Sequence, residues 1–204
     1  MDKPVIGLTG PTGAGKSTVA AAFRKQGCVI VDADKAARGV ADRPECLAKL
    51  ENAFGSDILA ADGRLNRHAL AGLAFASPEE TEKLNGIMHP AIFTECSQQL
   101  AAACASDCRA VILDAPLLFE SGAERLCTAT VAVITPDVSR MKRIMARDGI
   151  TEDEAKARMA VQHGNDYYRN RADYLFDGST DWSVFDEVTG ALLDRILREV
   201  HEKT

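Results

Sequence analysis

Five short apolar runs divide this chain, and segments with helical periodicity separate them. The runs cover residues 5–9, 28–31, 110–113, 130–134 and, more weakly, 174–176. Strands that are buried on both faces of a parallel sheet read as unbroken apolar runs rather than as alternating patterns. The pattern therefore predicts an α/β fold in which a five-stranded parallel sheet is flanked by helices.

The segment between the second and third runs has no strand signal. It contains helical stretches at 36–54 and from 78 to about 105, with a turn at 61–64. This is much longer than the crossover helix that a βαβ unit needs. We therefore predict a helical insertion over residues 35–106 within one domain of residues 1–204. Insertions at the carboxyl ends of parallel strands lie where ligands bind.

A glycine-rich loop follows the first run. Residues 10–17 read Gly-Pro-Thr-Gly-Ala-Gly-Lys-Ser, which fits the pattern G-x-x-x-x-G-K-[ST] between a strand and a helix. Glycines let the backbone N–H groups converge, and the helix start adds its positive dipole end. The sequence predicts a nucleoside triphosphate site, in which Lys16 reaches the β- and γ-phosphates and the Ser17 hydroxyl ligates Mg²⁺. The predicted phosphate-binding residues are Gly13, Ala14, Gly15, Lys16, Ser17 and Thr18.

Carboxylates stand at the ends of two predicted strands. Asp32 and Asp34 follow the second run, where a carboxylate can orient and deprotonate an acceptor hydroxyl. Either one could instead cap the helix that enters at Lys35, and position alone does not choose. Asp114 ends the third run and could hold Mg²⁺ through water, or it could be satisfied by backbone N–H groups.

Arginines recur at helical spacing after the fourth run. Arg140, Arg143 and Arg147 share one face of a predicted helix, and the next helix carries Arg158. Such charge runs are usually solvated helix faces. Beside a phosphate loop, however, a mobile helical flap that carries arginines can cover the γ-phosphate and exclude water.

Composition narrows the class of protein. The 204 residues are 46% hydrophobic and 26% charged, which is typical of a globular enzyme, and the net charge of −6 argues against a nucleic-acid partner. The six cysteines show no zinc spacing and are interpreted as reduced thiols. The amino terminus leaves no room for a signal peptide, and no apolar run approaches membrane-spanning length. We expect a cytoplasmic enzyme with no membrane association and no obligate protein partner.

The order of these motifs resembles the dephospho-coenzyme A kinase family over nearly the whole chain. The resemblance rests on Ile-Gly-Leu-Thr-Gly at 6–10, Val-Asp-Ala-Asp at 31–34 and Asp-Gly-Arg-Leu-Asn-Arg at 62–67. It continues through His-Pro at 89–90, Asp-Ala-Pro-Leu-Leu-Phe-Glu at 114–120 and the arginine segment 143–149. Shorter matches occur at 37–38, 54–55, 84–85 and 172–173.

The resemblance implies ATP-dependent phosphorylation of the ribose 3′-hydroxyl of dephospho-coenzyme A, to give coenzyme A and ADP. It favours Asp34 over Asp32 as the base, makes the insertion the dephospho-coenzyme A domain and makes residues 137–168 a lid. Lys16 and Arg147 would join Asp34 in catalysis, and Arg143 would bind ATP. The implied substrate-binding residues are Thr9, Asp34, Arg67 and His89. For His89, a core histidine bonded to backbone is an equally good interpretation.

Two departures from the family pattern stand out. Pro11 and Thr12 replace a frequent Gly-Ile pair, and Asp177 stands where asparagine is usual, which could loosen the base preference because a carboxylate only accepts hydrogen bonds. A nucleoside or nucleoside monophosphate kinase would share every phosphate-site residue and is the alternative. A GTPase switch is remote, because no Asp in the chain is followed three residues later by Gly.

Overall fold

The computed structural model describes residues 3–202 and contains the predicted sheet. Its strands are β1 (Val5–Thr9), β2 (Val29–Asp32), β3 (Val111–Asp114), β4 (Ala129–Ile134) and β5 (Tyr174–Asp177). They lie in the order β2-β3-β1-β4-β5 and run parallel, so all five predicted strands and the α/β class are confirmed. β1 is central, with Ile6 opposite Ile112 on one side and Ala129 on the other.

The helices flank this sheet and fill the long segment after β2. They are α1 (Lys16–Lys25), α2 (Ala33–Ala41), α3 (Pro44–Phe54), α4 (Arg67–Ala74), α5 (Pro78–Cys104), α6 (Asp137–Asp148), α7 (Glu152–Ala160), α8 (Asn165–Arg169) and α9 (Phe185–Glu202). α1 ends where the sequence predicts, because Gly27 adopts a φ of 84° and the Cys28 N–H bonds the Phe23 carbonyl at 3.1 Å. Over residues 3–202, no helix is both long and apolar enough to cross a membrane.

The sheet carries the core of one compact unit, which comprises the chain before Asp32 and from Leu100 onward. Ile6, Ile112 and Val131 of the strands are fully buried, together with Phe23 of α1 and Leu193 of α9. Burial of each such side chain contributes roughly 1.5–3 kcal/mol. This core fixes the carboxyl end of β1, from which the glycine-rich loop leaves the sheet.

A second compact unit comprises Asp32–Gln99 and is mainly helical. Its core contains Leu50 of α3, Leu70 of α4 and Ile58, which belongs to a short 3-10 turn. The turn at 61–64 is present as predicted, where Gly63 adopts a φ of 77° and the Ala60 N–H bonds the Arg64 carbonyl at 2.8 Å. Substrate binding by residues 35–106 stays a prediction.

Candidate active site

The glycine-rich loop connects the carboxyl end of β1 to α1 and depends on glycine at three positions. Gly10, Gly13 and Gly15 have φ values of 145°, 78° and 101°, which side-chain-bearing residues rarely adopt. At Gly10 a Cβ would also lie 2.3 Å from the Val133 carbonyl oxygen. The loop therefore packs against β4 as closely as its backbone allows.

Three carbonyl groups of this loop accept hydrogen bonds from identified donors. The Pro11 carbonyl accepts from the Ala14 N–H at 3.1 Å, and the Thr12 carbonyl accepts from Arg140 Nε at 3.0 Å. The Ala14 carbonyl accepts from Thr135 Oγ1 at 2.8 Å. In a trans peptide the C=O and the following N–H point in opposite directions, so the bonds to Arg140 and Thr135 turn the next two N–H groups, those of Gly13 and Gly15, away from these side chains. The first-turn N–H groups of α1 add to the same anion site.

Two arginines of α6 brace the loop. Arg143 donates through Nη1 to the Ala14 carbonyl at 3.3 Å and through Nη2 to the Gly178 carbonyl at 2.9 Å. The Arg140 side chain is only 2% exposed, and its Nη1 pairs with Asp137 at 2.9 Å. The sequence placed Arg140 on a common face with Arg143 and Arg147, but the structure buries it, because α6 begins against the loop: a Cβ on Gly13 would lie 2.8 Å from the Arg140 carbonyl.

The far end of α6 has a different environment. The Arg147 side chain is 60% exposed and donates through Nε to Asp148 Oδ1 at 2.7 Å. Arg158 of α7 forms an ion pair with the same carboxylate. The hydrogen bond from Arg147, together with the charges of both arginines, lowers the pKa of the Asp148 carboxyl. The catalytic role of Arg147 stays a prediction.

Lys16 and Asp114 form an ion pair at the carboxyl end of the inner strands β1 and β3. Each side chain is only 16% exposed, and Asp114 lies opposite Leu8 in the register of β1 and β3. Asp114, at the end of β3, therefore contacts the lysine of the loop that follows the adjacent strand β1. Its carboxylate is paired with a side chain rather than with backbone N–H groups alone. Ser17 lies exposed in the first turn of α1.

The two carboxylates after β2 have distinct local roles. Asp32 is the N-cap of α2, where its Oδ1 accepts from the Lys35 N–H at 2.9 Å. Asp34 lies exposed in the first turn of the same helix. The capping role that the sequence left open between them is thus filled by Asp32.

The other predicted substrate residues differ in exposure. Thr9 is fully buried, and its hydroxyl donates to the Pro116 carbonyl at 3.1 Å. Arg67 Nη2 contacts both Asp42 oxygens, at 2.7 and 2.8 Å, and His89 is half-buried in α5. Contact of these residues with substrate stays a prediction.

Several site residues were missed by sequence reasoning. Gln162 accepts from the Thr12 N–H at 3.0 Å, and a Cβ on Gly178 would lie 2.0 Å from the Ala14 carbonyl oxygen. The glycine directly after the fifth apolar run was a usable signal for such a close approach. A polar residue such as Gln162 at a helix end carries none.

A cavity of about 360 Å³ adjoins the loop helix. Ser17, Thr18 and Trp182 are among the residues that line it. Trp182 is the chain's single tryptophan, is 77% exposed and stacks on Phe185 with ring centroids 5.4 Å apart. An aromatic platform beside the phosphate loop suits a planar base.

A phosphate loop at the carboxyl edge of a five-stranded parallel sheet, with arginines from a following helix on its backbone, defines a P-loop kinase. Similar solved structures agree. A Thermus thermophilus protein matches with a TM-score of 0.78 and 32% identity, covering 100% of this chain and 98% of its own. Dephospho-CoA kinase from Campylobacter jejuni matches with a TM-score of 0.71 and 26% identity, covering 96% of this chain and 98% of its own. Shikimate kinase from Acinetobacter baumannii shares the fold, with a TM-score of 0.50 and 16% identity, over 97% of this chain and 94% of its own.

The chain belongs to the dephospho-CoA kinase family, whose model matches residues 4–183. Dephospho-CoA kinase of Corynebacterium diphtheriae is 38% identical over 96% of this chain and 98% of its own length. The relative from Corynebacterium efficiens is 39% identical over 96% of each chain. Members of this family phosphorylate dephospho-CoA with ATP, so the predicted family and the predicted kinase class are confirmed.

Proposed function

We propose that this chain transfers the γ-phosphoryl group of ATP to the ribose 3′-hydroxyl of dephospho-CoA and releases CoA and ADP. The observation that carries the proposal is the phosphate loop, whose carbonyl groups at Thr12 and Ala14 are held by side chains from outside the loop, so that the N–H groups that follow them point away from those side chains. Preorganised N–H donors of this kind stabilise charge that develops on phosphate oxygens.

Asp34 is the proposed base for the acceptor hydroxyl. Asp32 caps α2 through its Oδ1, and Asp34 lies exposed in the first turn of the same helix. The resemblance to the family also points to the second aspartate of the pair. A carboxylate at this position would orient the hydroxyl for in-line attack and accept its proton.

Mg²⁺ is the proposed metal, and its candidate ligands fit it. The Ser17 hydroxyl and the Asp114 carboxylate are hard oxygen donors of the kind Mg²⁺ prefers, with Asp114 acting through water because Lys16 already pairs with it. Within residues 3–202, no group of three or more His, Cys, Asp or Glu could hold a metal by itself. The triphosphate would supply the remaining ligands, and the bound ion would neutralise charge on its oxygens.

The segment 137–168 is the proposed lid, in which Arg147 is directed at the triphosphate and Arg143 supports ATP binding through the loop carbonyl that it holds. Arg147 supports the proposal because its present partner, Asp148, is shared with Arg158 and would remain paired after Arg147 moved away. The cavity beside Thr18 and Trp182 is the proposed site of the nucleoside. Asp177 is unsuited to strict base reading, because its Oδ1 already accepts from the Ser179 N–H at 2.8 Å.

A cytoplasmic location is part of the proposal. Burial raises the pKa of the Cys28 and Cys96 thiols to about 11, so both remain protonated at neutral pH. Buried reduced thiols are typical of proteins from reducing compartments.

An acceptor panel tests the activity. Purified protein with ATP and Mg²⁺ is offered dephospho-CoA, adenosine and AMP, and we expect ADP release with dephospho-CoA alone. A higher kcat/KM for adenosine or AMP would establish the nucleoside or nucleotide kinase instead.

A matched pair of variants tests the base. We expect Asp34→Asn to lower kcat by ~10²–10⁴, because it loses basicity but keeps an oxygen. Its ATP affinity, followed by Trp182 fluorescence, and its midpoint of thermal unfolding should stay close to wild type. Asp32→Asn, which keeps the capping oxygen, is the control and should keep most of its activity. An active but destabilised Asp34→Asn enzyme would move the catalytic carboxylate to Asp32 or Asp114.

A further inference from the structure

Both backbone polar groups of Thr12 are held by side chains from a different part of the chain. Its carbonyl accepts from Arg140 of α6, and its N–H donates to Gln162, just after α7. We propose that Arg140 and Gln162 are positioning residues that lock this residue, so that the Gly13 N–H points at the triphosphate. The proposal deepens the function above and rests on it for its kinetic consequence, but its geometric part can be tested by nucleotide binding alone.

Arg140 determines the plane of the peptide between Thr12 and Gly13. Its Nε lies 3.0 Å from the Thr12 carbonyl oxygen. Because the peptide is planar and trans, the Gly13 N–H must point away from Arg140, which is the direction that the proposal assigns to the triphosphate. Gly13 has a φ of 78°, and glycine resists rotation of its peptides less than any other residue. An external bond is therefore needed to keep this N–H aimed.

The burial of Arg140 supports a geometric role. Its side chain is 2% exposed, and Nη2 has no hydrogen-bond partner within residues 3–202. A buried guanidinium with an unsatisfied N–H costs stability relative to an apolar side chain. The structure thus retains a costly cation whose two good bonds go to Asp137 at the start of α6 and to the loop carbonyl.

Gln162 fixes the preceding peptide. Its Oε1 lies 3.0 Å from the Thr12 nitrogen, so the Pro11 carbonyl in the same peptide unit points away from it. That carbonyl accepts from the Ala14 N–H at 3.1 Å and closes the turn of the loop. Arg140 and Gln162 together hold two consecutive peptide planes. Both side chains come from residues 137–168, the proposed lid segment.

Amide NMR tests the geometry without any acceptor substrate. In protein labelled with ¹⁵N-glycine, Mg²⁺–ADP should shift the Gly13 amide resonance strongly, because its N–H then donates to a phosphate oxygen. In Arg140→Met we expect this shift to fall to roughly a third or less, since hydrogen bonds weaken steeply with misalignment. Arg140→Gln keeps an N–H donor for the Thr12 carbonyl and should restore most of the shift. An unchanged Gly13 shift in Arg140→Met would overturn the proposal.

Kinetics test the consequence for transfer. We expect Arg140→Met to lower kcat by about 10- to 100-fold, less than the loss of a whole oxyanion donor, while KM for ATP changes by less than about threefold. Arg140→Gln should recover kcat to within about fivefold of wild type. Asp137→Asn removes the ion-pair partner but not the loop contact, and it should remain close to wild type. Equal losses in Arg140→Met and Asp137→Asn, or no recovery in Arg140→Gln, would show a structural role for α6 instead.

Gln162 gives an independent arm in case Arg140→Met does not fold. Gln162 is exposed, so its variants should be stable. We expect Gln162→Ala to lower kcat by about three- to tenfold and to weaken the Gly13 shift, whereas Gln162→Glu keeps the acceptor and should restore both. Wild-type kcat and an unchanged Gly13 shift in Gln162→Ala would remove Gln162 from the proposal. The NMR experiment uses no acceptor substrate. Failure of the wild-type enzyme to phosphorylate dephospho-CoA would therefore contradict the proposed function but not the geometric proposal.

Discussion

The two ends of α6 carry the same kind of residue in opposite situations. Near its start, Arg140 and Arg143 bond backbone carbonyls of the phosphate loop, and Arg140 is almost fully buried. At its last turn, Arg147 is 60% exposed and pairs with Asp148, its neighbour in sequence. The sequence predicted one helix face for all three side chains, and the family resemblance gave a role in the site to Arg143 and Arg147.

The difference separates the start of α6, which is bonded to the loop, from its last turn, which is not. A guanidinium bonded to loop carbonyls cannot leave without freeing those carbonyls, and a buried one leaves unpaired groups behind. An exposed ion pair contributes little to stability and is easily exchanged for another anion. We infer that the start of α6 holds the loop in shape, while its end is available to a phosphate.

Substitution of Lys16 should lower kcat more than any other substitution proposed for the loop and α6. We expect Lys16→Ala to lower kcat by about 10³-fold or more, because it removes the cation that is predicted to reach the β- and γ-phosphates. The fold should survive, although Asp114 loses its partner. Phosphoryl-transfer assays with circular dichroism measure both effects. Near-normal turnover would contradict the assignment of the loop itself.

Arg147 and Arg158 test directly whether the last turn of α6 differs in role from its start, because both contact Asp148 but only Arg147 lies on α6. We expect Arg147→Ala to lower kcat by about 10²-fold with a smaller change in ATP affinity, since its charge acts in the transition state. Arg158→Ala, the matched control, should change kcat by less than about threefold. Similar small effects of both variants would make the end of α6 an ordinary solvated surface.

Asp148 should give the smallest effect, and that effect should depend on pH. Its pKa in the folded protein is lowered, first by the hydrogen bond from Arg147, below the ordinary value of 3.8. The carboxylate therefore stabilises the fold above pH ~4, and this contribution disappears as the pH falls through the lowered pKa. Urea unfolding of wild type and Asp148→Asn should differ slightly at pH 7 and converge in acid. A difference that persists or grows in acid would assign the contribution to another group.

Much of the fold was readable from the chain because its signals are local. The five apolar runs predicted the five strands, and Gly27 marked the end of α1. The loop was readable for the same reason, since the glycines and Lys16 are required within eight consecutive residues. For the helix cap after β2, the sequence predicted an aspartate but did not choose between Asp32 and Asp34. Both carry a carboxylate, and the choice depends on where α2 begins.

The sequence by itself determined the parallel sheet, the phosphate loop and membership of the kinase family, because each depends on residue type at fixed spacing. Tertiary structure alone decided that Arg140 is buried while Arg147 is exposed, that Lys16 pairs with Asp114, and that Gln162 reaches Thr12. These contacts join residues roughly 100 or more positions apart, or depend on which face of α6 packs against the loop. Helical spacing gives the relative directions of side chains, and only packing determines which direction faces the protein.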